Sequence, residues 1–294
     1  MNYIRTDNGI LIKYIDNFEP YQVFESGQCF RWECKDDGFV GVVKNKVIKV
    51  KKLNGDILID NVTEEDMDDI IYYFDLERDY NEIKRRLQFD GYMKEAMEYG
   101  YGLRILNQEP FECLISYIVS SNNRIPQIKR IIENLSRMYG KPIEYNGDTY
   151  YTFPSPDVLA DAEVCEIQES RCGFRAEYIC DAAKRVAWGD LDLSVLKKMD
   201  YFAAKSELMK VKGIGEKVAD CILLYSLQKY EAFPVDVWVN RVMTEIYIHQ
   251  KISFKKIGEY ARERFKELAG FAQLYLFYYY RNRKGGVFDA GCVD

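Results

Sequence analysis

Lys217 and Asp236 are the two side chains of this sequence whose type and setting best fit covalent chemistry. Lys217 belongs to the stretch Leu208-Met209-Lys210-Val211-Lys212-Gly213-Ile214-Gly215-Glu216-Lys217-Val218-Ala219-Asp220-Cys221. A helix is expected to end near Lys210 and another to begin near Glu216, with Val218, Cys221, Ile222 and Tyr225 on one apolar face. The pattern predicts a helix-hairpin-helix over about 203–228. Gly213 and Gly215 would let the backbone approach a partner closely, and unpaired amides at a helix start form an anion site that suits a DNA phosphate. An ordinary αα-hairpin carries similar glycines, so the glycines alone do not decide. Lys217 does: in a first helical turn it faces the positive end of the dipole, which favours an amine of lowered pKa and so a better nucleophile. A surface lysine or a second phosphate contact are its plainer readings.

Nineteen residues further on comes Phe233-Pro234-Val235-Asp236-Val237-Trp238, whose Pro-Val-Asp loop (234–236) puts Asp236 at the N-cap of the next helix. A carboxylate held at a helix start stays ionised, so it can stabilise a cationic sugar or relay a proton. Capping and catalysis are compatible there.

The elements around this pair fall into two kinds. Short β-prone runs, Ile10 to Ile15, Cys29 to Cys34, Phe39 to Val43, Val47 to Lys51 and Ile57 to Ile59, are separated by turns such as Asp36-Asp37-Gly38 and Asn54-Gly55-Asp56 and predict an antiparallel meander. Thr63-Glu64-Glu65-Asp66 resembles a capping box, and everything after it is expected to be helical. Pro110 and Pro126 mark helix starts, Gly140 and Gly189 helix ends. Leu114, Ile118, Ile128, Ile131, Ile132 and Leu135 form core stripes between them. The fold class expected is α+β: a small antiparallel sheet domain with flanking helices over 1–100, then a mostly helical domain over 101–294. The tyrosines show no clustering and suggest composition bias rather than a stacking platform.

Composition bounds the function. The chain has 294 residues, 48% hydrophobic and 30% charged, which is globular and large enough for two domains. No apolar run is long enough to span a bilayer and no signal core opens the chain, so a soluble protein that stays inside the cell is expected. A formal charge of -6 argues against binding polyanions through bulk charge, yet residues 201–294 hold 15 basic and 11 acidic side chains, which places any nucleic-acid surface in the last third. The cysteines (Cys29, Cys34, Cys113, Cys165, Cys172, Cys180, Cys221 and Cys292) form no Cys-x-x-Cys pair and no C-terminal cluster; Cys165, Cys172 and Cys180 read as reduced core thiols in helical sequence. His249 is the only histidine, which excludes multi-histidine metal sites and argues against a Ser-His-Asp triad. If the chain is an enzyme, its chemistry runs on Lys, Asp, Glu, Cys or Tyr, and the missing ligand clusters are consistent with no metal and no cofactor.

Taken together these residues resemble the helix-hairpin-helix-GPD superfamily of base-excision glycosylases and, within it, the 8-oxoguanine DNA glycosylase/AP lyase family in a bacterial-type form. The resemblance runs from about Phe24 to Tyr280. It includes Glu25-Ser26-Gly27-Gln28-Cys29-Phe30-Arg31-Trp32, Glu112-Cys113-Leu114, Ser120-Ser121-Asn122-Asn123, Gly173-Phe174-Arg175-Ala176 and Gly270-Phe271-Ala272-Gln273. It implies that Lys217 and Asp236 are the catalytic pair and that the Gly27 carbonyl senses the N7 hydrogen of 8-oxoguanine. By the same token Gln273 reads the Watson-Crick edge, Phe277 and Cys221 sandwich the flipped base, Asn122 fills the hole in the duplex, and Phe174 is the wedge.

Three positions depart from animal and fungal members: Trp238 replaces a phosphate-contacting histidine, Tyr280 an aspartate near the base, and Gln127 an arginine that holds the orphaned cytosine. Arg175 and Asn122 remain for that cytosine. The activity implied is bifunctional: base flipping, excision of 8-oxoguanine from duplex DNA, and strand cleavage through a Lys217 Schiff base, by a monomer located in the cytoplasm with the nucleoid of a bacterium. Other glycosylases of the superfamily are the alternative. An iron-sulfur enzyme of the endonuclease III type would need four clustered C-terminal cysteines, and alkylpurine glycosylases lack the lysine. A non-catalytic DNA-binding module, from a different class, would need no lysine beside a capped aspartate.

Overall fold

A computed structural model of the chain describes residues 2–285; Cys292 lies outside them. Strands β1 (Tyr3–Thr6), β2 (Gly9–Ile12), β3 (Trp32–Lys35), β4 (Gly38–Val43), β5 (Lys46–Leu53) and β6 (Asp56–Asp60) form one antiparallel sheet in the order β1-β2-β6-β5-β4-β3. From β3 to β6 it is the expected meander. β2 closes it by pairing with β6 instead of β3, and β1, missed in the sequence, adds an edge hairpin. β2 is set next to β6 because the chain leaves the sheet at Lys13 and makes helix α1 (Pro20–Phe24) before returning.

β6 alternates half-buried and buried residues, as a sheet with one wet face requires. β4 is buried on both faces: Phe39 and Val43 face the sheet core, whereas Val40 and Val42 pack with Ile143, Tyr145 and Tyr150. Those covering residues come from a second hairpin, β7 (Pro142–Tyr145) and β8 (Asp148–Tyr151), which corrects the expectation that everything past Thr63 is helical. Asn146 and Gly147 both have positive φ, the two-residue turn that an Asn-Gly pair between β-prone runs favours. Gly41 has no room for a side chain, since a Cβ there would lie 2.5 Å from the ring of its cross-strand partner Trp32. Trp32 in turn stacks on Phe24 of α1 at 3.9 Å.

Helices fill the rest: α2 (Met67–Tyr73), α3 (Tyr80–Leu87), α4 (Gly91–Tyr99), α5 (Pro110–Ser120), α6 (Ile125–Tyr139), α7 (Pro156–Asp161), α8 (Val164–Glu169), α9 (Ala176–Ala187), α10 (Leu193–Lys198), α11 (Tyr201–Leu208), α12 (Glu216–Ser226), α13 (Val237–Val242), α14 (Phe254–Phe265) and α15 (Ala269–Gly285). Thr63 and Asp66 make the capping box ahead of α2, through a short 3-10 turn. The helical core takes in Leu114, Ile118, Ile128, Ile131, Ile132 and Leu135 from the predicted stripes, and Tyr80, Ile83, Leu87, Met93 and Met97 from α3 and α4. Two cysteine assignments need correction: Cys165 is exposed, and Cys172 is buried but lies in the loop between α8 and α9. The tyrosines do cluster, for Tyr92 and Tyr99 of α4 pack their rings on Tyr278 and Tyr279 of α15. No helix among the described residues is long and apolar enough to cross a membrane.

Candidate active site

The hairpin between α11 and α12 is anchored by Val211 and Ile214, both buried in the helical core, which leaves Lys212, Gly213, Gly215 and Glu216 exposed. Gly213 has φ +82, and a Cβ there would sit 2.4 Å from the Tyr178 ring. Backbone shape and space both demand glycine. Gly215 is different: nothing lies within 4 Å of a Cβ there, and it N-caps α12 without any side-chain cap. The open amide end of α12 is therefore available to an anion from solvent.

Lys217 stands half-buried in the first turn of α12. Its ammonium lies 5.3 Å from the centre of the Tyr117 ring and within hydrogen-bonding reach of the Cys221 thiol, one turn along the same helix. Burial pushes that thiol up to about 12, so Cys221 presents a neutral sulfur. Asp236 caps α13, its Oδ1 accepting from the Trp238 amide at 3.0 Å and the Val239 amide at 2.8 Å. Burial raises the Asp236 pKa above the ordinary carboxylate value, against the opposing pull of the cap amides, the Lys217 ammonium and the Arg281 guanidinium. The two ends of the hairpin motif thus bring a primary amine and a carboxylate into one electrostatic environment.

A second group closes on this pair from the sheet domain. Gly27 has φ +85, and the atoms a Cβ there would meet are Arg281 Nη1 at 3.2 Å, Ile125 Cδ1 at 3.5 Å and Phe277 Cε1 at 3.6 Å. The segment is held by Gln28, which sequence reasoning passed over. Its buried amide donates to the Arg104 carbonyl at 2.8 Å and accepts from the Leu106 amide at 2.8 Å, while its backbone carbonyl accepts from Gln108 Nε2 at 2.8 Å and the Tyr117 hydroxyl at 3.0 Å. Tyr117 stacks on Tyr225, whose hydroxyl donates to Gln273 Oε1 at 3.4 Å. Gln28, Tyr117, Lys217, Tyr225 and Gln273 are therefore linked by direct contacts, with Gly27 next to Gln28 in the chain, and Phe277 is the half-buried aromatic at the edge. Polar residues buried in apolar stripes, such as Gln28 and Gln273, were the signal available in the sequence.

Asn122, Phe174 and Arg175 meet on a third side. Asn122 is exposed in the left-handed region at φ 49, in the turn between α5 and α6, and does not cap α6. Phe174 is 58% exposed on a 3-10 turn ahead of α9, so a core role is ruled out. Arg175 beside it is buried; it donates to the carbonyls of Ser121 (2.5 Å), Asn122 (3.1 Å) and Cys172 (3.2 Å) and lies 4.5 Å from the Phe174 ring. One guanidinium thus ties together the two turns that project Asn122 and Phe174. Gln127 is half-buried in the first turn of α6. Trp238 packs against Tyr280, a buried residue, and under Arg241. Among the described residues no group of three or more His, Cys, Asp or Glu is placed to hold a metal ion.

Comparison with known proteins points the same way. Residues 10–114 match the 8-oxoguanine DNA glycosylase N-terminal domain, and residues 115–267 match the HhH-GPD superfamily of base excision DNA repair proteins. The "Probable N-glycosylase/DNA lyase" of Methanothermobacter thermautotrophicus is 35% identical over 240 residues, 75% of this chain and 76% of its own. The Clostridium acetobutylicum 8-oxoguanine glycosylase/lyase, solved with double-stranded DNA containing cytosine opposite 8-oxoguanine, superposes with a TM-score of 0.94 at 42% identity, over 98% of this chain and 99% of that one. MBOgg1, solved with a low affinity DNA ligand, gives the same TM-score at 44% identity, over 96% and 98% of the two chains.

Proposed function

Since the chain belongs to the 8-oxoguanine DNA glycosylase family of the HhH-GPD superfamily and is an 8-oxoguanine glycosylase/lyase of base excision repair acting on double-stranded DNA, we propose that Lys217 and Asp236 carry both of its steps. The observation that supports this most is the shared setting of the Lys217 amine and the Asp236 carboxylate beside Gly27, Gln273 and Phe277.

In this reading the exposed hairpin takes a backbone phosphate on the amides around Gly213 and Gly215, while Phe174 enters the stack and Asn122 occupies the vacated space. The flipped base slides between Phe277 and the neutral Cys221 sulfur; its Watson-Crick edge meets Gln273, and its N7–H meets the Gly27 carbonyl. Once its ammonium has given a proton to solvent, Lys217 Nζ bonds to C1′ as the C1′–N9 bond breaks, and the base leaves with the electron pair and takes up the proton that the newly bonded nitrogen releases. Asp236 stabilises the positive charge on the sugar. Loss of a second amine proton and opening of the C1′–O4′ bond give the imine, and removal of a C2′ proton then expels the 3′ phosphate. Gln127 serves the orphaned base, and Arg175 offers it the one Nη1–H that its bonds to the Ser121, Asn122 and Cys172 carbonyls leave over. We assign the cell's cytoplasm, at the nucleoid, as the place of action.

Borohydride reduces such an imine to a stable amine. Incubation with a duplex carrying one 8-oxoguanine should yield a covalent protein–DNA band that Lys217→Gln abolishes while DNA binding persists. A trapped band in Lys217→Gln removes Lys217 from this role.

A further inference from the structure

Arg281 is the group that this mechanism leaves unexplained. It lies on α15, one turn beyond Phe277, and its guanidinium carbon sits 5.1 Å from the centre of the Phe277 ring. Nη2 donates to the Glu25 carbonyl at 2.7 Å, two residues before Gly27. Nη1 is fully buried and has no hydrogen-bond partner, although it lies 3.2 Å from the position a Gly27 Cβ would take. Burial pushes the Arg281 pKa down, against the pull of Glu25 and Asp236, yet a guanidinium keeps its charge at neutral pH. A buried cationic N–H without an acceptor is among the more expensive features a fold can carry, and native proteins keep one mainly where a ligand will complete it.

The missing acceptor must reach Nη1 alongside Gly27 and in contact with Phe277. Resting on the pocket reading above, we propose that Arg281 Nη1 donates a charge-assisted hydrogen bond to O8 of the flipped 8-oxoguanine, making Arg281 a second specificity residue for the lesion. O8 and N7–H are neighbours on the same edge of the base, and both are created by the oxidation. The Gly27 carbonyl takes the new donor and the Arg281 guanidinium serves the new acceptor, so guanine, which has neither, leaves both protein groups unpaired. Stacking on Phe277 and the bond to the Glu25 carbonyl fix the guanidinium plane in advance, which lowers the ordering cost at binding. Gly27 is needed as glycine for its φ and also because any side chain would meet Nη1.

The test uses the full chain with Lys217→Gln as background, so that the uncut base can be bound, and compares it with Lys217→Gln/Arg281→Leu. Four duplexes are titrated: one with 8-oxoguanine, one with unmodified guanine, one with 8-thioguanine, which keeps N7–H but replaces O8 by a poor acceptor, and one with a tetrahydrofuran abasic analogue. Arg281→Leu should weaken 8-oxoguanine binding about ten- to hundred-fold, change 8-thioguanine binding by less than about three-fold, and leave the abasic duplex unchanged. Equal losses on the oxo and thio duplexes overturn the proposal and reduce Arg281 to a support of the Gly27 loop; no loss on the oxo duplex overturns it outright. A loss on the abasic duplex as well reports misfolding, and there Arg281→Met, which keeps the length of the side chain but has no N–H donor, must show the oxo-selective loss for the proposal to stand. If the Lys217→Gln background itself fails to prefer 8-oxoguanine over guanine, the pocket reading fails instead.

Discussion

Asp236→Asn separates the two duties assigned to that residue, because it removes the charge and keeps the shape. Oδ1 accepts two amide bonds at the start of α13, at 3.0 and 2.8 Å, and an asparagine oxygen can accept both. Exchanging charged for neutral acceptance costs about 1 kcal/mol. The opposing term comes from burial, which raises the carboxyl pKa in the folded protein. A raised pKa means that the folded state holds the proton more tightly than the unfolded chain. The stability this contributes is therefore full at low pH and is lost as pH rises through the raised value. At neutral pH the ionised, buried carboxylate is a net burden that Asn does not carry. The two terms offset, so the melting temperature of Asp236→Asn at pH 7 should stay within a few degrees of the parent or rise, with the comparison moving in the parent's favour as pH falls. Base removal should respond in the opposite sense. Loss of one preorganised charge at a developing cation is worth about 3 kcal/mol, or roughly a hundred-fold in rate. In the parent, excision should decline on the acid side as Asp236 takes up its proton, above the pH at which an ordinary aspartate would. Single-turnover excision of 8-oxoguanine, paired with calorimetric melting of the same samples, measures both. Parent-like excision in a stable Asp236→Asn protein would refute the electrostatic role; a collapse in melting temperature would show that the cap, and not the charge, was the essential part.

Gly213→Ala and Gly215→Ala should behave differently although both lie in the hairpin: the first forces a Cβ at φ +82 into the Tyr178 ring and should cost about 2 kcal/mol or more, whereas the second points into open space and should cost about 1 kcal/mol or less, as denaturant titration will report. Gln127→Arg should sharpen preference for cytosine opposite the lesion by an order of magnitude, since a fixed cationic fork replaces an amide able to re-pair with any base; excision measured opposite all four bases checks this, and strict cytosine dependence in the parent would show that the Gln127 amide imposes no relaxation. Despite the formal charge of -6, DNA affinity should fall steeply with salt, by about 0.9 log units per log unit for each phosphate neutralised, and a flat titration would contradict the placement of the interface on the hairpin and the basic last third.

How much of this was legible in the sequence depends on the distance over which each feature is decided. The hairpin, the Lys217 position and the Asp236 cap are settled by a few consecutive residues: glycines that set a turn, an amide end that wants a carboxylate, and an apolar face that recurs every three or four positions. The strands of the sheet follow from a two-residue period for the same reason. The β7–β8 hairpin was equally local, with Asn146-Gly147 between β-prone runs, but the helical rhythm on either side masked it. Cys172 illustrates the other case, since a buried thiol in a loop leaves no periodic trace. What the sequence could not show is which distant groups share a site. Gln28 bonds the Arg104 carbonyl, the Leu106 and Gln108 amides and the Tyr117 hydroxyl, Arg175 ties the turn at 121–122 to its own, and Arg281 reaches back to Glu25 and Gly27 from the far end of the chain. Each of these is a polar group whose partner is fixed only when segments distant in sequence pack together. Local preference acts through backbone geometry over one or two turns, whereas the pairing of a buried donor with its acceptor is decided by where the whole chain leaves no water.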